Sequence, residues 1–180
     1  MEPTHARLLF DFLFPHPKTE RATTRKILAA VPADRSDYAP HPNSMTALKL
    51  CGHIAGTEIW FLDGILNHYF EDDDDDDDDA DAAPRPKWDT PADIVRWYDD
   101  AFTNRLPRLK ALSNQQLIAP VNYIGILNEP AVTYLSLAIR HSVHHRGQLS
   151  AYLRPMGATV PSIYVESGDQ RFAPGESSGW

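Results

Sequence analysis

Apolar residues recur at three- and four-residue steps in four stretches of the chain, with Pro, Gly and Asp clusters between them. That period marks one-sided helices. The first stretch runs from about Thr4 to Val31, where Pro15 and Pro17 are placed to break or kink it. The second follows "PHPNS", where Asn43 or Ser44 can act as N-cap, and continues through "MTALKLCGHIAGTEIWFLDGILNHYF" to about Phe70. Apolar on nearly every face, it belongs at the centre. The third opens at "DTPAD", with Thr90 as N-cap, Pro91 in the first helical position and Asp93 in the capping-box place. Ile94, Tyr98, Ala101, Phe102, Arg105 and Leu109 follow on one side, and Pro107 should bend the end. The fourth begins near Pro130 and stops at Gly157, a left-handed C′ glycine, with Pro161 soon after. Four such helices with few strand signals predict an all-α fold, a four-helix bundle, as a single domain over residues 1–180.

The connections read differently. "EDDDDDDDDADAAPRPK", residues 71–86 with Lys87, carries eight consecutive aspartates that repel one another and bury nothing, which predicts a solvated, mobile acidic loop. It lacks the Gly turn and spaced ligands of a calcium loop. "QLIAPVNYIGILNE" suits a short extended pair or an irregular cover over one end of the bundle, and residues 162–180 read as an irregular tail.

The formal net charge of −8 is mostly that acidic run: Glu71, Asp72 to Asp79 and Asp81 supply 10 of the 25 acidic residues, leaving 15 against 17 Lys and Arg. Basic residues are scattered, so nucleic acid is excluded as a partner. The N-terminal apolar patch is interrupted by Asp11 and Pro15 and lacks a cleavage site, no stretch of about 20 apolar residues exists to span a membrane, and Cys51 has no cysteine to pair with. A cytoplasmic protein is the expectation.

Chemistry concentrates in "HSVHHRGQLSAYLRPMG", His141 to Gly157. At about 100° per residue, Tyr134, Ala138, His141, His145, Leu149 and Tyr152 share one stripe, while Arg140 and Arg154 fall on the far side. The inward pair is therefore His141 and His145; His144 lies at the edge, partly exposed or held behind the ligating pair. Two imidazoles from one helix rarely make a tight site, and His53, in the middle of the most apolar helix, is the best third donor. Gly52 and Gly56 beside it each cost about 1 kcal/mol of helix propensity, which close packing or ligand access would offset. His5, His16, His41 and His68 lie near helix ends or in loops and read as surface or capping residues.

"HIAGTEIW", "WDTPADIVRWYDD" and "HSVHHRGQLSAYLRPMGATVPSIY" together resemble the DinB/YfiT-like metalloenzymes, a family that includes bacillithiol S-transferases and mycothiol-dependent maleylpyruvate isomerases. The likeness covers about Thr19 to Tyr164. It implies a four-helix bundle of unusual connectivity, often a homodimer, with a divalent ion held by one histidine of the second helix and an H-x-x-x-H pair. In this chain those are His53, His141 and His145, the set reached from helix faces. The aspartate run and the long tail depart from the common pattern.

Three neutral imidazoles leave an ion's dipositive charge in place and, in a tetrahedral site, one position open for a water or a thiolate. The leading expectation is a metal-dependent transferase that activates a low-molecular-weight thiol for attack on a small electrophile. The alternatives are a metal-hydroxide hydrolase and a non-catalytic metal-binding stress protein. Imidazole donors suit zinc, nickel, copper and iron alike; zinc or nickel is expected, with iron or manganese as the alternative. Cys51 is turned about 200° from His53 around the helix and reads as a buried structural residue. Arg146 should bind carboxylates or carbonyls of a neighbouring helix or subunit, Gln148 should orient a ligating histidine or touch substrate, and Trp60 and Tyr152 are candidates to wall the pocket.

Overall fold

Pro15 and Pro17 turn the chain without stopping it. In the computed structural model, which describes residues 1–71 and 86–171, α1 (Pro3–Leu13) and α2 (Pro15–Ala29) meet at Phe14, whose own backbone is helical and whose N–H still donates to Phe10 O. The prolines have no N–H to donate, so the helix kinks there. After a single 3-10 turn at Ala33–Arg35 come α3 (Ala47–Asn67), α4 (Pro91–Lys110), α5 (Asn114–Ile118), a hairpin of β1 (Pro120–Tyr123) and β2 (Leu127–Pro130), and α6 (Thr133–Leu153).

The four long helices α2, α3, α4 and α6 form the bundle. α3 packs on α4 and α6, and α2 packs on the same two from the opposite corner, so α3 and α2 are diagonal partners. Buried Leu50, Ile54, Phe61, Leu62 and Ile65 of α3 meet Tyr98 and Phe102 of α4 and Leu135 and Leu149 of α6 in one apolar cluster. Ion pairs stitch the rim: Arg105 to Asp63 across α4 and α3, and Arg21 and Arg25 to a shared Asp99 across α2 and α4. The expected all-α four-helix arrangement is present.

Caps account for the helix starts. The capping box at α4 forms as its sequence predicts, with Thr90 Oγ1 accepting from Asp93 N and the Asp93 carboxylate accepting from Thr90 N. At α3 the cap is Thr46, accepting from Lys49 N, and not Asn43 or Ser44, because those two lie in the preceding turn. The end of α3 also falls earlier than Phe70: His68 takes the left-handed conformation (φ 55°), which stops the helix at Asn67 and lets Phe70 fold back against it. Gly157 has the predicted positive φ of 75°. Pro130 lies in β2, opposite Pro120, so α6 starts at Thr133.

The stretch between α5 and α6 is the extended pair. Ile124 and Gly125 occupy the left-handed region at its tip, and the Tyr134 hydroxyl donates to Val121 O at 2.7 Å, tying the hairpin to the first turn of α6. The described part of the tail is irregular but hydrogen-bonded: Asp169 accepts from Val160 N at 3.0 Å and Gln170 from Ser162 N at 2.8 Å. The predicted acidic loop, apart from Glu71 and Pro86, lies outside the described residues.

A Cβ added at Gly64 would overlap the Phe70 ring, which is itself buried and cannot swing into solvent. Gly64→Ala should therefore destabilise the fold by about 1 to 3 kcal/mol. In a thermal melt this lowers the midpoint by several degrees, at roughly 2 to 4 °C per kcal/mol for a chain of this size.

Candidate metal centre

α3 and α6 are the most extensively packed pair of helices, and the histidines lie along their seam. His53 projects from α3, and His141 and His145 project one turn apart from the facing side of α6. The Nε2 atoms converge: His141 to His53 at 3.1 Å, and His145 to His53 at 3.3 Å. One ring nitrogen from each of the three lies within 4.8 Å of the others. Two ligand nitrogens about 2.0 to 2.1 Å from a tetrahedral ion stand about 3.3 to 3.4 Å apart, so the measured separations fit the edges of such a site. His144 is exposed and outside the cluster, with its ring edge against His145 at 4.7 Å. His68 caps α3 and its Nε2 meets Gln116 O at 2.8 Å, while His5 and His41 are exposed; none of them joins the three.

The protonation of the rings suits ligation. Burial pushes His141 down to about 3, helped by the neighbouring charges of His145, His53 and His144. Burial also lowers His145, against the raising effect of its bond to Gln148. At neutral pH both rings are therefore neutral, with lone pairs to offer. Gln148 Oε1 lies 2.9 Å from His145 Nδ1, accepting its proton and directing the Nε2 lone pair inward. Thr57, one turn beyond His53, sits 3.5 Å from His53 Nδ1. His141 Nδ1 is buried with no hydrogen-bond partner among the described residues.

Behind the histidines lies a polar layer that sequence reasoning missed. Glu58, buried in α3, accepts from Tyr98 of α4 at 2.9 Å and from Ser142 of α6 at 3.1 Å through one oxygen. Burial raises this carboxyl to about 7, against the lowering effects of Tyr98, Arg146 and Ser142. Four residues along α6, Arg146 is 1% exposed and donates to Glu20 O at 3.0 Å, to the Glu20 carboxylate and to the Tyr164 hydroxyl. Arg146 thus meets the carboxylate and carbonyl expected of it. Ser142 follows His141 and Arg146 follows His145, so each histidine has an anchored neighbour about 100° further round the helix. The available signal was Glu58 itself, a carboxylate in the most apolar helix, which burial obliges to find partners.

Trp60 is half-buried on the side of α3 that carries His53 and contacts Tyr123 and Phe70, while Phe61 sets its edge against the His141 ring at 6.0 Å. Tyr152 packs on Tyr38, is 4% exposed, and its hydroxyl accepts from Gln148 Nε2 at 3.4 Å. Cys51 is fully buried, and burial drives its thiol up to about 12. No described helix is long and apolar enough to cross a membrane.

Comparison with known proteins agrees with this architecture. The DinB family model matches residues 5–171. The uncharacterized protein YjoA of Bacillus subtilis (strain 168) is 23% identical over 155 residues, 84% of this chain and 93% of that protein. The crystal structure of that DinB-like YjoA superposes with a TM-score of 0.66 at 22% identity, over 84% of this chain and 96% of the other. A DinB-like protein from Bacillus cereus gives 0.68 at 22% identity, over 84% and 95%.

Two outcomes follow from the layers around the histidines. Removing the Gln148 acceptor frees the His145 tautomer, so Gln148→Ala should weaken divalent-metal binding about 10- to 100-fold by calorimetric titration, with little change in melting temperature. Glu58 binds its proton more tightly folded (about 7) than its ordinary 4.5, so the wild type loses stability as pH rises through that window. Glu58→Gln keeps an acceptor for Tyr98 and Ser142 without the charge. Urea denaturation should show its stability relative to wild type improving with pH across the same window.

Proposed function

The chain belongs to the DinB family, and on that premise we propose that it is a divalent-metal-dependent transferase that activates a low-molecular-weight thiol for attack on a small electrophile. The observation that carries the reading is the convergence of three Nε2 atoms at separations suited to one ion. A divalent ion held by three neutral imidazoles keeps its charge and an open position, and there it favours an anionic ligand such as a thiolate.

The chain's own residues do the rest. His141 and His145 supply lone pairs without first losing protons, His53 completes the three donors, Gln148 holds the His145 ring in the ligating tautomer, and Ser142 and Arg146 hold α6 in register. The chain's single thiol is unsuited to the chemistry: Cys51 is buried and protonated, so the attacking sulfur must come from a diffusible molecule. Zinc or nickel is the ion in this reading. The partners are the thiol, a small-molecule electrophile and a second copy of the chain, with neither nucleic acid nor membrane, in a single-domain cytoplasmic protein.

Cobalt-substituted protein tests it. Adding 2-mercaptoethanol should produce a sulfur-to-cobalt charge-transfer band, and a halonitroarene should then be consumed in a thiol-dependent reaction. His141→Ala, which removes one donor of three, should lose cobalt affinity, the band and turnover together. Cys51→Ala should keep all three and lose only packing. Turnover without thiol that rises through an ionisation near pH 7 would assign the nucleophile to water instead. Tight metal binding with no turnover toward any thiol or ester would make the protein a metal binder.

A further inference from the structure

Gln148 carries an acceptor and a donor on one amide, and its two orientations have opposite consequences for His145. With Oε1 toward His145, the ring keeps its proton on Nδ1 and offers the Nε2 lone pair to the cluster. With Nε2 toward His145, the amide donates to Nδ1, the ring proton sits on Nε2, and the donor atom of the site is blocked. The 2.9 Å contact between Gln148 Oε1 and His145 Nδ1 is the first arrangement. His145 cannot enforce it, because a neutral imidazole accepts its proton on either nitrogen.

The group that can enforce it lies one turn further along α6. The Tyr152 hydroxyl is 3.4 Å from Gln148 Nε2 and 3.4 Å from Met45 O, in the loop before α3. A backbone carbonyl only accepts. With its single proton directed to Met45, the Tyr152 hydroxyl presents lone pairs to Gln148, so the amide turns its NH2 toward Tyr152 and its oxygen toward His145. The result is a one-way chain: His145 donates to Gln148, Gln148 to Tyr152 and Tyr152 to Met45. Reversing it would take the hydroxyl proton away from the Met45 carbonyl. The two 3.4 Å links are long and contribute little strength. What they supply is direction.

Both ends of the anchor are held. Met45 precedes Thr46, which caps α3 by accepting from Lys49 N at 3.2 Å, and Ala47 N donates to Tyr38 O at 2.8 Å. Tyr38, in the same loop, meets the Tyr152 ring edge to face at 5.8 Å. Tyr152 is 4% exposed, which leaves its hydroxyl little water as a rival partner. We propose that Tyr152 is a positioning residue for the ion site: through Gln148, and with the Met45 carbonyl fixing the direction, it sets the tautomer of His145 so that the ring is ready to ligate before an ion arrives. This rests on the reading of the three histidines as an ion site.

The tautomer is read from the ring-nitrogen NMR shifts of His145 in full-length, metal-free protein, at a pH where the imidazoles are neutral. Zinc affinity comes from calorimetric titration, and both are measured for wild type, Tyr152→Phe, Gln148→Glu and the double variant. Wild type should carry the His145 proton on Nδ1. Tyr152→Phe keeps the ring packed on Tyr38 and removes the hydroxyl, so both tautomers should appear. Zinc affinity should then fall about two- to tenfold, with little change in melting temperature. Gln148→Glu replaces the amide with a carboxylate, which accepts through either oxygen and has no direction to set. In that background Tyr152→Phe should change neither tautomer nor affinity, a loss of coupling that a packing role would not produce. A proton on Nε2 of His145 in wild type overturns the proposal, as does a Tyr152→Phe effect of equal size in both backgrounds or in neither. Each of those results leaves the ion site standing. Wild type that takes up no zinc overturns the ion site, and the role of Tyr152 with it.

Discussion

The buried guanidinium of Arg146 is the interaction on which the rest of the site depends. It is 1% exposed and reaches from α6 across to α2, where the Glu20 carboxylate and carbonyl receive it. Breaking such a pair from one side strands a charge in the interior, at a cost of about 3 to 5 kcal/mol. That penalty fixes the rotation and height of α6. A shift of one residue along the helix turns every side chain by about 100° and would withdraw His141 and His145 from His53. Ser142, held by Glu58, repeats the constraint one turn earlier.

Between these anchors and the histidines the helix divides its labour by face. One stripe of α6 carries charge-assisted and neutral hydrogen bonds in the interior, and a second, about 100° round the helix, carries imidazoles that burial keeps neutral. A cluster of three adjacent rings would repel itself if protonated, so the burial that lowers His141 also removes the obstacle to bringing the rings together. Gln148 then sets which nitrogen of His145 faces inward. The hairpin closes one end, with Tyr123 stacked on Phe61 and Tyr134, and Phe61 in turn against His141.

Much of this was legible beforehand because helices have a short, fixed period. The 100° step alone put His141 and His145 on one stripe, turned Arg140, Arg154 and Cys51 away, and left His144 at the edge; the structure has Arg140, Arg154 and His144 exposed and Cys51 buried. The capping box at Thr90 and the glycine at 157 were readable because each meets a local backbone requirement. Helix ends without such a motif were less so. The α3 cap passed to Thr46 and the start of α6 moved to Thr133, where turn and hairpin geometry overrode the nearest capping residue and proline.

By itself the chain's pattern determined which faces are apolar, how many long helices there are and which imidazoles can share a side, because those depend only on neighbours within a turn or two. Only the tertiary structure decided which helix stands opposite which. The Glu58 layer, the pairing of Arg146 with Glu20 at a separation of 126 residues, and the approach of His53 to His141 across 88 all depend on that arrangement. Contacts between distant segments are selected by the packing of whole helices, and no local period in the sequence records them.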